Sequence, residues 1–224
     1  MHNNKGFTLI EIIVAVALVA ILSAAVAPSV LNNISQGRIA RAQSDVQAIA
    51  SGIMRFKSDV GKYPRLSKAS HPDTTGEAFA FMASSVAGGS TTLHFPTAIS
   101  GANWPTTLTN NSVAPSSCED FATHLILGKD RAANLAADSY PRIVAPDNPD
   151  DPTKTGFRGG LLSADAVDPW GNRYLANVRS LGVSGSAVWV ISAGPNGVIE
   201  TAVTVSGTGA ATALANDDIG FRVQ

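Results

Sequence analysis

Glu11 is the residue whose chemistry departs most from its surroundings. From Phe7 to Leu31 it carries the only charge, and Thr8, Ser23 and Ser29 are the only other polar side chains. A carboxylate at the centre of a lipid-embedded helix costs roughly 2.5–3.5 kcal/mol, less near the end, and a cation at the same depth offsets it. Glu11 thus has two readings: it pairs with a cation, or it snorkels to the headgroups. Candidate catalytic chemistry is sparse elsewhere. His2, His71, His94 and His124 show no metal-ligand spacing. There is no Gly-x-Ser-x-Gly elbow and no phosphate loop, and Gly207-Thr208-Gly209 lacks the later glycine of a dinucleotide fingerprint. The carboxylates follow no spacing that would pair an acid with a base. The chain reads as a non-enzyme.

The element that must position Glu11 is the apolar run that continues through Ile12-Ile13-Val14-Ala15-Val16-Ala17-Leu18-Val19-Ala20-Ile21-Leu22. As a helix, Phe7 to Leu31 is long enough to cross a hydrocarbon core of about 30 Å at about 1.5 Å per residue. A cleaved secretory signal would place a small-residue cut near Ala24-Ala25 or Ala27. Against that stands the periodicity beyond the cut. Ile39, Ala42, Val46, Ile49, Ile53, Phe56 and Val60 recur at alternating spacings of 3 and 4, the seam by which one helix packs on another element. One helix is therefore predicted from Phe7 to about Asp59. Residues 7–31 form its membrane and assembly part and 32–60 an amphipathic stem, with Arg38, Arg41, Asp45, Arg55, Lys57 and Asp59 off the seam. Pro28, Gly37 and Gly52 are its weak points, and Gly61-Lys62-Tyr63-Pro64 supplies a left-handed cap and a stop.

Residues 61–166 are rich in Ser, Thr, Gly, Asn and Pro and read as a loop-rich insertion. Short helices are predicted at Ala78–Val86 and Glu119–Leu127, and an exposed loop at Ala145–Thr155. Residues 167–224 read as a small antiparallel sheet. Asp168-Pro169-Trp170-Gly171 forms a turn, with Trp170 and Tyr174 available to pack on the stem. Strands are predicted at Tyr174–Arg179, Ala187–Ser192, Val198–Val205 and Ile219–Val223, with a hairpin loop at Gly182–Gly185. The fold class is thus α+β. A formal charge of −1 gives no basic field for nucleic acid. Cys118, the single cysteine, has no partner for an intramolecular disulfide, and reads as a small buried residue or a thiol. Lys5, ahead of the apolar run, predicts a cytoplasmic amino end and a periplasmic domain, in a single pass of the inner membrane.

Several stretches resemble a known family. Gly6 followed by Phe7-Thr8-Leu9-Ile10-Glu11 is similar to the class III leader of type IV pilins and type II secretion pseudopilins. Gly61-Lys62-Tyr63-Pro64 resembles the segment after the long helix in major pseudopilins, and Asp168-Pro169-Trp170-Gly171-Asn172-Arg173-Tyr174 resembles the opening of their carboxy-terminal sheet. The resemblance implies a pilin-like fold and a leader, residues 1–6, that a prepilin peptidase removes between Gly6 and Phe7 before Phe7 is N-methylated. It also implies that the amino terminus of Phe7, in the same or a neighbouring subunit, is the cation for Glu11. The implied function is structural. Copies of the chain polymerise, with other pseudopilins and an inner-membrane platform, into a periplasmic fibre that drives protein export. The alternatives are a type IV pilin of a surface fibre, for adhesion, motility or DNA uptake, and a singly anchored periplasmic binding protein. Finally, Ser192-Ala193-Gly194-Pro195-Asn196-Gly197 with Asn216-Asp217-Asp218-Ile219 resembles the family's calcium loop, which implies a calcium site at Asn196, Asp217 and Asp218. Asn196 stands where the family has an aspartate, and Asp217 and Asp218 read equally as a solvated turn.

Overall fold

A seam of apolar residues at helical spacing calls for a helix with one buried stripe, and the carboxy-terminal part of the long helix has it. The computed structural model describes residues 7–61, 63–64, 81–84, 98–99, 118–128, 156–162, 167–178, 181–182, 187–202 and 213–223. Helix α1 (Leu9–Val60) is 52 residues long and continues through Pro28. The chain divides into two compact units, Met1–Ala40 and Arg41–Gln224. In the first, every described side chain from Phe7 to Arg38 is exposed and Ile39 is half-buried. In the second, Ala42, Val46, Ile49, Ile53, Phe56 and Val60 are buried, joined by Ala50 on the same stripe. Burying side chains the size of Ile53 and Phe56 stabilises by about 1.5–3 kcal/mol each.

The helix ends as its sequence requires. Gly61 adopts φ +77°, and its N–H donates to Lys57 O at 2.9 Å, capping the last turn. Tyr63 then lies beside the stem, its hydroxyl accepting from Lys57 Nζ at 2.8 Å while the ammonium sits 4.3 Å from the ring centroid. Gly52 also has a packing reason. A Cβ there would lie 3.3 Å from Leu162 Cδ2 and 3.5 Å from Leu161 O, so glycine lets the segment 156–162 approach the helix backbone. Phe56 meets Phe157 in a tilted ring contact, centroids 6.1 Å apart.

Among the described residues seven short strands follow the helix: β1 (Phe81–Ala83), β2 (Ala98–Ile99), β3 (Cys118–Asp120), β4 (Leu175–Ala176), β5 (Trp189–Ser192), β6 (Val198–Ile199) and β7 (Ile219–Arg222). Five of them form a sheet in the order β3-β1-β4-β5-β7. The ladders β1/β4, β4/β5 and β5/β7 are antiparallel, and β3 adds in parallel at the far edge of β1. All four side chains of β5 are buried, the polar Ser192 included. The stem packs on this sheet through Tyr174, which leads into β4 and reaches Asp45 with its hydroxyl.

Several expectations are corrected. The helix predicted at Ala78–Val86 is a strand at its described residues. Met82 and Ala83 are buried in β1, and Ser84 exchanges bonds with Tyr174 through its N–H and its hydroxyl. Pairing with distant strands overrides the local preference of Met and Ala for helix. In Glu119–Leu127 the first two residues belong to β3, and the helix shrinks to a π-helical turn, Ala122–Ile126, closed by Leu127 N–H to Ala122 O. The strand predicted at Tyr174–Arg179 stops at Ala176 because the Asn177 side chain takes over the pairing, donating to Ala187 O and accepting from Trp189 N–H. The strand predicted at Val198–Val205 is described only as β6, which pairs in parallel with β2 outside the main sheet. The insertion, 61–166, therefore supplies two strands of the main sheet. The loops predicted at Ala145–Thr155 and, apart from Gly182, at Gly182–Gly185 lie outside the described residues, as does the leader.

Candidate functional site

Two places carry the candidate residues: the amino-terminal turn of α1 and the loops beside β5 and β7. Gly6 lies outside the described residues. Phe7 is exposed immediately ahead of α1. The first turn needs acceptors for its unpaired N–H groups, and Thr8 and Glu11 provide one reciprocally. Glu11 Oε2 accepts from Thr8 N at 2.8 Å and from Thr8 Oγ1 at 2.7 Å, while Thr8 Oγ1 stands 3.4 Å from Glu11 N. This is a capping box, and its Thr-x-x-Glu signature was legible in the sequence but overshadowed by the charge. Among the described residues Thr8 supplies the partners of Glu11. Ile10, Glu11, Val14, Ala15 and Leu18 line a shallow open groove along the same face of α1.

The second place begins at the Asp168 turn. Asp168 Oδ1 accepts from Asn172 N at 2.7 Å and Trp170 N at 3.1 Å, and Oδ2 accepts from the Ser192 hydroxyl at 2.7 Å. Gly171 closes the turn at φ +93°, its N–H donating to Asp168 O. Burial raises the pKa of Asp168, and the Ser192 hydroxyl and the N–H groups of Asn172, Trp170 and Gly171 pull it back. Tyr174 is fully buried and Trp170 half-buried. Burial first, and then Asp45, push the Tyr174 phenol above its ordinary range, so it stays a donor.

Asn196, Asp217 and Asp218 are brought together as expected, and their bonds show how. Asp217 Oδ1 accepts from Asn196 Nδ2 at 2.6 Å, and Oδ2 accepts from the Asn196 main-chain N at 3.0 Å. Asn196 Oδ1 accepts from Val198 N at 2.7 Å, which fixes the amide so that its NH₂ faces Asp217, with Glu200 Oε2 at 3.4 Å. Asp218 Oδ2 accepts from Glu200 N at 2.9 Å, Thr201 N at 2.6 Å and Thr201 Oγ1 at 2.6 Å. The Thr201 hydroxyl in turn accepts from Ala215 N. Burial raises the pKa of Asp218, its three donors lower it, and the charge of Glu200 raises it further. Asn216 takes φ +49° and Gly194 φ +62°. A Cβ on Gly194 would collide with the backbone oxygen of Asp217.

Calcium requires about six to eight oxygens converging on one point. Here both oxygens of Asp217 already accept N–H groups from Asn196, and the Asn196 oxygen accepts from Val198, so the amide turns its hydrogens toward the carboxylate. Asp218 Oδ1 is buried without a hydrogen-bond partner among the described residues, one oxygen where a shell is needed. No group of three or more His, Cys, Asp or Glu side chains among the described residues could hold a metal. The residues present do not fit a calcium ion. His124 is fully buried in the π-helical turn, and burial lowers its pKa to about 3.

Residues 1–27 match the family model of the prokaryotic N-terminal methylation motif. The chain is similar to the type II secretion system core protein G of Pseudomonas aeruginosa, 42% identical over 63 residues, which are 28% of this chain and 44% of that protein. It is similar also to the proteins of that name from Vibrio cholerae, 33% identical over 64 residues (29% and 44%), and Escherichia coli, 32% identical over 62 residues (28% and 43%). The chain thus spans less than half the length of the curated relatives it matches. No solved structure matches the chain.

Proposed function

We propose that this pilin-like chain is a pseudopilin of a type II secretion system, a structural subunit that polymerises through its amino-terminal helix into a periplasmic fibre driving protein export. The observation that carries this reading is an exposed apolar helix, long enough to cross a membrane, that starts inside a methylation motif. In the membrane, lipid covers this face. Helices lose little hydrophobic free energy in moving from lipid to one another, so packing and polar contacts decide which neighbours they take. Glu11 is the one charge available to select register, and the cation it takes is the amino terminus that cleavage after Gly6 exposes on Phe7. The amino end lies on the cytoplasmic side of the inner membrane and the sheet region in the periplasm, with Lys5 holding the orientation. A prepilin peptidase, other pseudopilins and the inner-membrane platform are its partners, and the mechanical force comes from the machine's ATPase. The names of the relatives favour secretion over a surface pilus.

The test is the intact mass and amino-terminal sequence of the chain from its native membrane, with and without the prepilin peptidase. The expected product starts at N-methylated Phe7 and disappears without the peptidase. A start after Ala25 or Ala27, or an uncut Met1, overturns the reading. Deletion of the chain is expected to retain secreted proteins in the periplasm, and a strain that loses surface fibres while secreting normally would move the assignment to a pilus.

A further inference from the structure

We propose that the turn after β5 is held to the segment before β7 by an amide–carboxylate pair, Asn196 with Asp217, in place of a cation, so that these described residues are stable without calcium. The need for a closure comes from the ladder. The last rung between β5 and β7 is Ser192 with Ile219, and beyond it the ladder gives way to the segments 193–197 and 213–218. Three carboxylates, Glu200, Asp217 and Asp218, gather where they part, and their mutual repulsion has to be offset. The chain's own donors do so. Asp217 takes the main-chain and side-chain N–H groups of Asn196, and Asp218 Oδ2 takes two main-chain N–H groups and the Thr201 hydroxyl.

Asn196 is the pivot because of its chemistry as well as its place. Its oxygen caps Val198 N–H, leaving only donors to face Asp217 across 21 positions of chain. An aspartate there could cap the same N–H, but its second oxygen would meet the Asp217 carboxylate at hydrogen-bond range. Two carboxylates at that distance do not both stay ionised without a cation. Gly194 completes the closure, since only a residue without a Cβ lets the 193–197 turn lie against the backbone of Asp217. The proposal does not depend on the chain forming a fibre.

The experiment uses the full chain in detergent, melted by near-ultraviolet circular dichroism in calcium chloride and in chelator, with calcium titrated calorimetrically in parallel. The expected wild-type midpoints coincide and the titration shows no saturable heat. A wild-type midpoint that rises with calcium, by mass action on a folded-state site, overturns the proposal. Asn196→Asp is expected to melt lower than wild type in chelator, by about 3 °C or more. An Asn196→Asp chain that melts as wild type does in chelator also overturns it. If Asn196→Asp does not fold in either condition, Asn196→Ala decides. An equal fall in midpoint with and without calcium supports the pair, and no fall removes it.

Discussion

The phenolic oxygen of Tyr174 donates to Asp45 Oδ2 at 2.9 Å, tying the entry to β4 to a stem residue 129 positions earlier. Around this bond Tyr174 is fully buried, and Asp45 keeps an i,i+4 contact with Arg41 at 3.6 Å on its exposed side. The Arg41 contact is largely solvated and contributes little. The Tyr174 bond is partly withdrawn from water and directed at a carboxylate, which makes it the stronger of the two.

Tyr174→Phe is therefore expected to destabilise the chain by about 1–2 kcal/mol while leaving the fold unchanged. Urea unfolding of Tyr174→Phe, Asp45→Ala and the double variant measures the coupling. A coupling near zero would mean that the hydroxyl does not hold the stem.

His124 predicts a pH dependence whose sign is set by its lowered pKa of about 3 against an ordinary 6.5. Below pH 6.5 the unfolded chain takes up a proton that the folded chain refuses, so stability is complete above 6.5 and falls as pH drops toward 3. Between pH 7.5 and 5.5 this one residue is expected to cost about 1.4 kcal/mol. Urea unfolding of wild type and His124→Gln at both pH values checks it, and equal pH slopes would assign the loss elsewhere.

The two stem glycines are expected to respond in opposite directions. Nothing lies within 4 Å of a Cβ at Gly37, so Gly37→Ala should stabilise the helix by about 0.5–1 kcal/mol. Gly52 faces Leu161 and Leu162, so Gly52→Leu should cost about 1–3 kcal/mol by overpacking. Thermal melts of the two variants decide the matter. A stabilising Gly52→Leu would show that the 156–162 segment does not need the close approach.

Glu11→Leu is expected to insert in the membrane and to give the same mature amino terminus as wild type, because it removes only the charge that is unfavourable in lipid. Fibre yield or register should suffer, scored by shearing and by electron microscopy. Normal fibres from this variant would remove the proposed role of Glu11.

Local rules decide the part of the structure that was legible in the sequence. The extent of α1 comes from 3.6-residue periodicity, and its end from a glycine that can take a positive φ with a proline soon after. Val190 and Ile191 announced β5 through β-branched bulk, and Asp168 with Gly171 announced a turn. Phe81-Met82-Ala83 could not be read this way. Three residues carry no period, and their partners lie at 118–120 and 175–176. Asn177 was equally silent, since its side chain ends β4 only by meeting Ala187 and Trp189. Asn196 was legible as a departure from an acidic residue, yet its donors gain meaning only across the loop from Asp217.

The place of β1 inside the sheet sets an order of events in folding. Met82 pairs with Ala176, so the β1/β4 ladder closes a loop of more than ninety residues. The closure entropy, growing as about (3/2)RT ln n, is spent before any of that ladder's bonds return it. Helix α1 needs only neighbours four residues apart and elongates in about nanoseconds per residue. The helix can therefore begin to form while the sheet is still searching for its long-range pairs, the slow class of contact, and gains its full stability only when its buried stripe is covered. A nascent chain would be held at the bilayer by its helix with an unfinished head.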